Sequence, residues 1–259
     1  GDPRFEDHRR FAAREAARAL VLAEEGVPPE GAAFMMSRDA LVRGERVFRE
    51  RCRSCHALEG FVPEEPLGPD LTAYGSKAWL RQLLRDPDSP RFFGRAEKVE
   101  GMPSFAELSE DELGILTDML VSLRAHDGVD IEAHPHYEDL IFEAECDGCH
   151  DFADMWGVEG PALAGYLSPS WIRAMIDHPG DPDLYGQMNE MPAFEAKLDD
   201  ADKTALVRFL QSLEARADRD AWPYVDEPLS SPSERPEKET PEDAQAEPRS
   251  EDDPAEVSE

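Results

Sequence analysis

Cys52-Arg53-Ser54-Cys55-His56 and Cys146-Asp147-Gly148-Cys149-His150 stand 94 residues apart, and their reading decides the fold. Outward from them the rest of a repeat falls into place. Gly68-Pro69-Asp70-Leu71 returns as Gly160-Pro161-Ala162-Leu163 at an offset of 92, and Tyr74, Trp79 and Pro87 return at that offset as Tyr166, Trp171 and Pro179. Met102-Pro103-Ser104-Phe105 returns as Met191-Pro192-Ala193-Phe194 at an offset of 89, and Leu116, Leu120 and Leu123 return as Leu206, Leu210 and Leu213 at an offset of 90. An offset that drifts in steps between motifs marks a tandem duplication with short loop insertions, not a short-period solenoid.

Helical signals fill both copies. Ala40 to Arg51 and His136 to Glu145 precede the two cysteine motifs as amphipathic stretches. Ser76 to Arg85 and Ser168 to Asp177 each end before a proline turn. Ser109-Glu110-Asp111-Glu112 reads as a capping box, after which Leu113, Leu116, Leu120 and Leu123 share one face; its copy runs from near Asp199 to about Ala215. No convincing period-2 strand is present, so the class is all-α. The copies span 37–127 and 128–217. Residues 1–36 form an Ala- and Arg-rich helical extension, roughly Phe5 to Glu25, followed by a Gly- and Pro-containing stretch. Residues 218–259 form a C-terminal strap and acidic tail.

The 259 residues carry 58 acidic against 27 basic side chains, a formal charge of -31. A phosphate backbone or an anionic lipid surface demands the opposite sign, which excludes nucleic acid and anionic membranes as partners. From Asp226 to Glu259 there are 13 acidic residues, three basic residues, six prolines and no aromatic residue, so this tail is expected to be disordered. The folded part remains acidic on its own, which fits either solubility and salt adaptation or steering towards a basic partner. No apolar run reaches the about 18 to 20 residues that span a bilayer. Gly1 is not an initiator Met and no basic-then-apolar leader follows it, as expected of a processed chain or a piece of a longer one.

All four cysteines lie in the two Cys-x-x-Cys-His motifs. Two thiols one helical turn apart add to the two vinyl groups of one haem, and the adjacent His then lies under the iron. The pattern therefore predicts two covalently bound haem c groups, on Cys52 and Cys55 and on Cys146 and Cys149, with His56 and His150 as proximal ligands. Domains of about 90 residues, poor in large aliphatic side chains, also need such a staple. A four-cysteine zinc site leaves the following His unexplained twice, and a thioredoxin-like pair wants a βαβ context absent here.

Of the eight methionines, only Met102 and Met191 occupy equivalent positions in both copies. Each precedes a proline that holds its segment extended, which suits a loop crossing the distal face of a haem. These two are the expected sixth ligands. Met188 is the rival in the second copy, His178 is an ordinary residue aligned with Asp86, and His126, His134 and His136 read as junction or surface residues. The carbonyls of Pro69 and Pro161 are placed to accept the other ring N–H of each histidine. Trp79, Trp171, Tyr74 and Tyr166 wall the haems or simply fill the core. Arg81, Arg91 and Arg95 in the first copy, and Arg173 in the second, are propionate partners or plain exposed arginines.

Each half resembles a class I cytochrome c: helix ending at CxxCH, Gly-Pro loop, middle helix, Met-Pro loop, last helix. Gly44 and Phe48 match the small-plus-aromatic contact by which the first helix crosses the last in that family. In the second copy Glu138 replaces the glycine, which implies a wider or shifted crossing, while Phe142 keeps the aromatic. Val27-Pro28-Pro29-Glu30-Gly31-Ala32, Arg38-Asp39-Ala40-Leu41, Arg91-Phe92-Phe93-Gly94 and Met102-Pro103 carry a narrower resemblance. They are similar to the di-haem cytochrome c portion attached to cytochrome b in some bacterial Rieske/cytochrome b quinol-oxidising complexes. That resemblance implies a membrane part upstream, with Gly1 to Glu25 as tether, and the acidic tail is no part of it. The family also implies haem attachment outside the cytoplasmic membrane, hence the periplasmic side.

With both irons six-coordinate, the expected function is electron transfer without catalysis, from a Rieske/cytochrome b complex to a soluble cytochrome or terminal oxidase. A subunit of an oxidase or of a periplasmic dehydrogenase, a di-haem peroxidase, and a gas sensor are the alternatives.

Overall fold

The computed structural model describes residues 3–24, 26–96, 102–125, 135–152 and 160–216. Eight α-helices follow one another among them: α1 (Pro3–Ala23), α2 (Ala32–Arg38), α3 (Ala40–Arg51), α4 (Lys77–Arg85), α5 (Glu110–Ser122), α6 (Pro135–Glu143), α7 (Pro169–Asp177) and α8 (Asp200–Ser212). Among the described residues there is no strand, only a Leu58–Phe61 bridge. The all-α class therefore holds. The expected acidic tail, His126, His134 and the side chains of His136 and Glu138 lie outside the described residues.

Local chemistry explains where the helices start. Ser76 and Ser168 cap α4 and α7 by accepting from the amides of Trp79 and Trp171, both at 3.1 Å. Ser109 and Glu112 form the capping box of α5. Asp199 accepts from Asp202 N at 2.7 Å to start α8. The stretch expected to be helical to Glu145 stops at Glu143, because Glu145 turns left-handed with φ 55° ahead of the cysteine motif. Helix α2 escaped the periodicity, since a seven-residue element gives too few turns for a pattern.

Asp39 caps α3 from the Leu41 and Val42 amides, both at 3.1 Å, and also accepts from Arg18 Nε at 2.9 Å. Burial alone raises its pKa, but the Arg18 and backbone donors prevail and hold it below the ordinary 3.8. Asp39→Ala is expected to cost about 1 kcal/mol. Asp39→Asn keeps a cap and loses only the charge. Its deficit against the native chain should be full above the ordinary value of 3.8 and should vanish as pH falls through the lowered folded value, read by denaturant unfolding across that range.

Helix α1 is clamped onto α3 by charge. Arg14 pairs with Glu45 and, at 2.6 Å, with Glu59; Asp7 lies 2.8 Å from Arg49 and 2.9 Å from Arg53; and the Arg49 guanidinium stacks 4.6 Å over the Phe11 ring. The basic face of α3 is thus partnered by the extension.

The helix pairs define two cores. α4 packs on α5 and α7 on α8, each within its own copy, but α3 packs on α8 and α6 on α5. At the α3–α8 crossing the Phe48 and Phe209 rings lie 5.7 Å apart, and Arg43 reaches Asp202 at 2.6 Å and Asp199 at 3.1 Å. A Cβ on Gly44 would stand 2.1 Å from the Ala205 carbonyl oxygen, so only glycine permits this approach. The contact expected of Gly44 and Phe48 is present, and the last helix it uses is that of the other copy.

Candidate haem-binding sites

Each cysteine motif folds into a tight turn that brings the histidine backbone onto its first cysteine. His56 N donates to Cys52 O at 3.0 Å, and His150 N to Cys146 O at 2.8 Å. The thiols are free. Burial, with Cys55 adding to it, pushes the Cys52 thiol up to about 12; burial and then Asp147 push Cys146 up to about 11. Such thiols are protonated near neutrality, unlike the low-pKa thiolates of redox catalysts. Among the described residues no group of three or more His, Cys, Asp or Glu side chains is gathered as for a metal ion, against the four-cysteine zinc reading.

The histidines are oriented alike. His56 Nδ1–H donates to Pro69 O at 2.9 Å and His150 Nδ1–H to Pro161 O at 2.8 Å, leaving each Nε2 lone pair for a metal. Burial holds both imidazoles below the ordinary 6.5, so the neutral, ligating form prevails at pH 7. The glycine before each of these prolines does as much as the carbonyl: a Cβ on Gly68 would lie 2.4 Å from His56 Cε1, and one on Gly160 2.7 Å from His150 Cε1. Gly68→Ala is accordingly expected to push His56 off its carbonyl and change the coordination of one haem in two, with a milder effect from Gly160→Ala. The visible spectra of the two holoproteins provide the check.

The aromatic residues frame the same loops. Trp79 Nε1–H donates to Asp70 O at 2.8 Å and Trp171 Nε1–H to Ala162 O at 2.9 Å, pinning each ring to its Gly-Pro loop. Tyr74 meets Trp79 edge-on at 5.2 Å, and Tyr166 meets Trp171 at 4.9 Å. Burial pushes both phenols far up, and pushes Tyr185 up to about 12. Tyr185 went unnoticed in the sequence because its counterpart is Phe93, so no motif flagged it.

Met102 is half-buried against the core that holds α4, α5 and α6, and Met191 against the core that holds α3, α7 and α8. Asn189 braces the latter by donating to Met191 O at 2.8 Å and accepting from Met191 N at 3.0 Å. The rival Met188 sits in the short helical turn Gly186–Met188. His178 is exposed, 3.6 Å from Glu195. Among the arginines, Arg173 is engaged by Asp177 and Asp200, Arg91 by Gln82 and Thr72 O, and Arg95 is exposed. Arg81 lies 3.8 Å from Glu110, and Arg124 is engaged by Glu214 and, at 2.6 Å, by the Gly75 carbonyl.

The residues present therefore fit haem c: paired free thiols, an oriented neutral imidazole in a cradle closed to any Cβ, and soft thioethers half-buried on the cores. The fold and the sites define a di-haem c-type cytochrome with two covalently bound haem groups, an electron-transfer protein. A family model described as cytochrome c oxidase, cbb3-type, subunit III matches residues 39–118 and 139–210, more than half of the chain, and the chain belongs to that family. No curated protein and no solved structure matches it. Among the described residues no helix is long and apolar enough to cross a membrane.

Proposed function

We propose that this chain is a two-haem relay on the periplasmic side of the membrane, carrying electrons from a Rieske/cytochrome b quinol-oxidising complex to a soluble cytochrome or terminal oxidase. His56 and His150 serve as proximal ligands and Met102 and Met191 as distal ones. The observation that carries the reading is the equivalence of the two sites: both have a carbonyl-held imidazole and a half-buried methionine ahead of a proline. A peroxidatic haem needs one distal face open, so two like sites favour transfer over catalysis. The bound haem supplies one-electron chemistry; the chain holds it, keeps both histidines neutral and offers thioethers that favour the reduced iron. The acidity of the folded part suits a donor or acceptor with a basic face. A place within a terminal oxidase is the second reading, supported by the family to which the chain belongs.

An optical redox titration of the holoprotein tests the proposal. Two high-potential waves are expected, with the weak far-red band of Met-ligated ferric haem scaled for two haems. One high and one very low wave, with half that band, overturns the pair of His/Met sites and brings the peroxidase reading forward.

A further inference from the structure

In a single class I unit the first helix, the last helix and the Met loop belong to one stretch of chain. Here they do not. One core gathers Val47, Phe48, Leu58 and Leu71 from the first copy with Ile172, Phe194, Leu206 and Phe209 from the second, and Cys52 and Met191 pack against it together. The other gathers Leu80, Leu84, Leu116 and Leu120 from the first copy with Ile141 and Phe152 from the second, and Cys146 and Met102 pack against that one. The Met loops cannot be reassigned, because each is tied to its own middle helix: Phe105 N donates to Leu84 O at 2.8 Å and Phe194 N to Ile176 O at 3.0 Å.

Pairs of equivalent residues meet one another, as they do on a two-fold axis. Phe93 and Tyr185 lie 6.3 Å apart, Arg124 pairs with Glu214, and a Cβ on Gly75 would reach the Leu167 side chain at 3.0 Å. The chain changes cores beside this axis. Ala73 and Gly75 in the first copy, and Gly165 and Leu167 in the second, all have positive φ, between 58° and 75°. Left-handed backbone at Ala and Leu costs on the order of 1 kcal/mol each, which the surrounding packing must offset. Tyr74, between two of these residues, packs against both cores.

From this interleaving we infer that the axial ligands are exchanged between the copies: Met191 serves the haem bound at Cys52, Cys55 and His56, and Met102 the haem bound at Cys146, Cys149 and His150. The inference rests on the His/Met reading proposed above. Neither copy then holds a complete site, and the ligation of each haem depends on the other half of the chain.

Proton NMR of the reduced full-length holoprotein, with methyl-labelled methionine, tests this. The methyl of a ligating methionine moves far upfield in the ring current of its haem, and Met102→Leu and Met191→Leu each remove one such signal and so assign it. Nuclear Overhauser contacts are expected from the Met191 methyl to the haem whose thioether protons connect to Cys52 and Cys55, and from Met102 to the haem of Cys146 and Cys149. Contacts from each methyl to the haem of its own copy overturn the exchange and leave the His/Met reading standing. Absence of any upfield methyl overturns both. Sequential assignment of the unsubstituted chain gives the same answer if either variant fails to fold.

Discussion

Gly44→Val is expected to lower the unfolding free energy of the holoprotein by about 3 kcal/mol, the upper end of the usual cost of overpacking. The collision is with backbone, the Ala205 carbonyl at 2.1 Å, and with Phe209 Cβ at 2.6 Å, so no flexible side-chain tip can swing away. Helices α3 and α8 must part instead, and the Phe48–Phe209 contact and the Arg43 ion pairs loosen with them. Because α3 leads into Cys52, the optical spectrum of one haem should change with the stability while the other is spared. Denaturant unfolding followed by far-UV circular dichroism, with visible spectra alongside, makes the measurement. A loss below about 1 kcal/mol would mean that the crossing is not this close.

The second large effect is at the distal ligands. Met191→Leu keeps the apolar volume on its core but removes the sulfur, so one haem of the two should become five-coordinate. Half of the far-red band should disappear, one haem in two should bind carbon monoxide when reduced where the native protein binds none, and one potential should fall by on the order of 0.1 V. Met102→Leu should do the same at the other haem. An unchanged band in either variant would remove that methionine from the ligand set and leave its half-burial as ordinary core filling.

Much of this molecule is legible in the chain because its chemistry is local. The Cys-x-x-Cys-His spacing places two thiols and an imidazole within one turn, whatever the rest does. Ser76, Ser168 and Ser109 cap their helices through amides three residues away. The Pro69 and Pro161 carbonyls reach histidines only 13 and 11 residues distant. Other features depend on partners remote in sequence and leave no such trace. Gly68 and Gly160 stand in the sequence only as part of a repeated Gly-Pro loop, and the imidazoles against them are seen only in the structure. The clamp of α1 on α3 is a matter of which arginine meets which carboxylate, and an acidic, Arg-rich chain offers many choices.

The deepest division concerns which half packs on which. By itself the sequence determined that there are two copies, that both are helical, and that each carries thiols, a histidine and a Met-Pro loop. It did not determine their pairing, because a duplicated chain offers each first helix two last helices with the same leucine stripe. Tertiary structure decided between them by close fit. Opposite Gly44, α8 presents Ala205 and Phe209, where α5 has Ile115 and Met119 at the equivalent positions. A glycine helix can press onto an alanine backbone, but a β-branched side chain at that point holds it off.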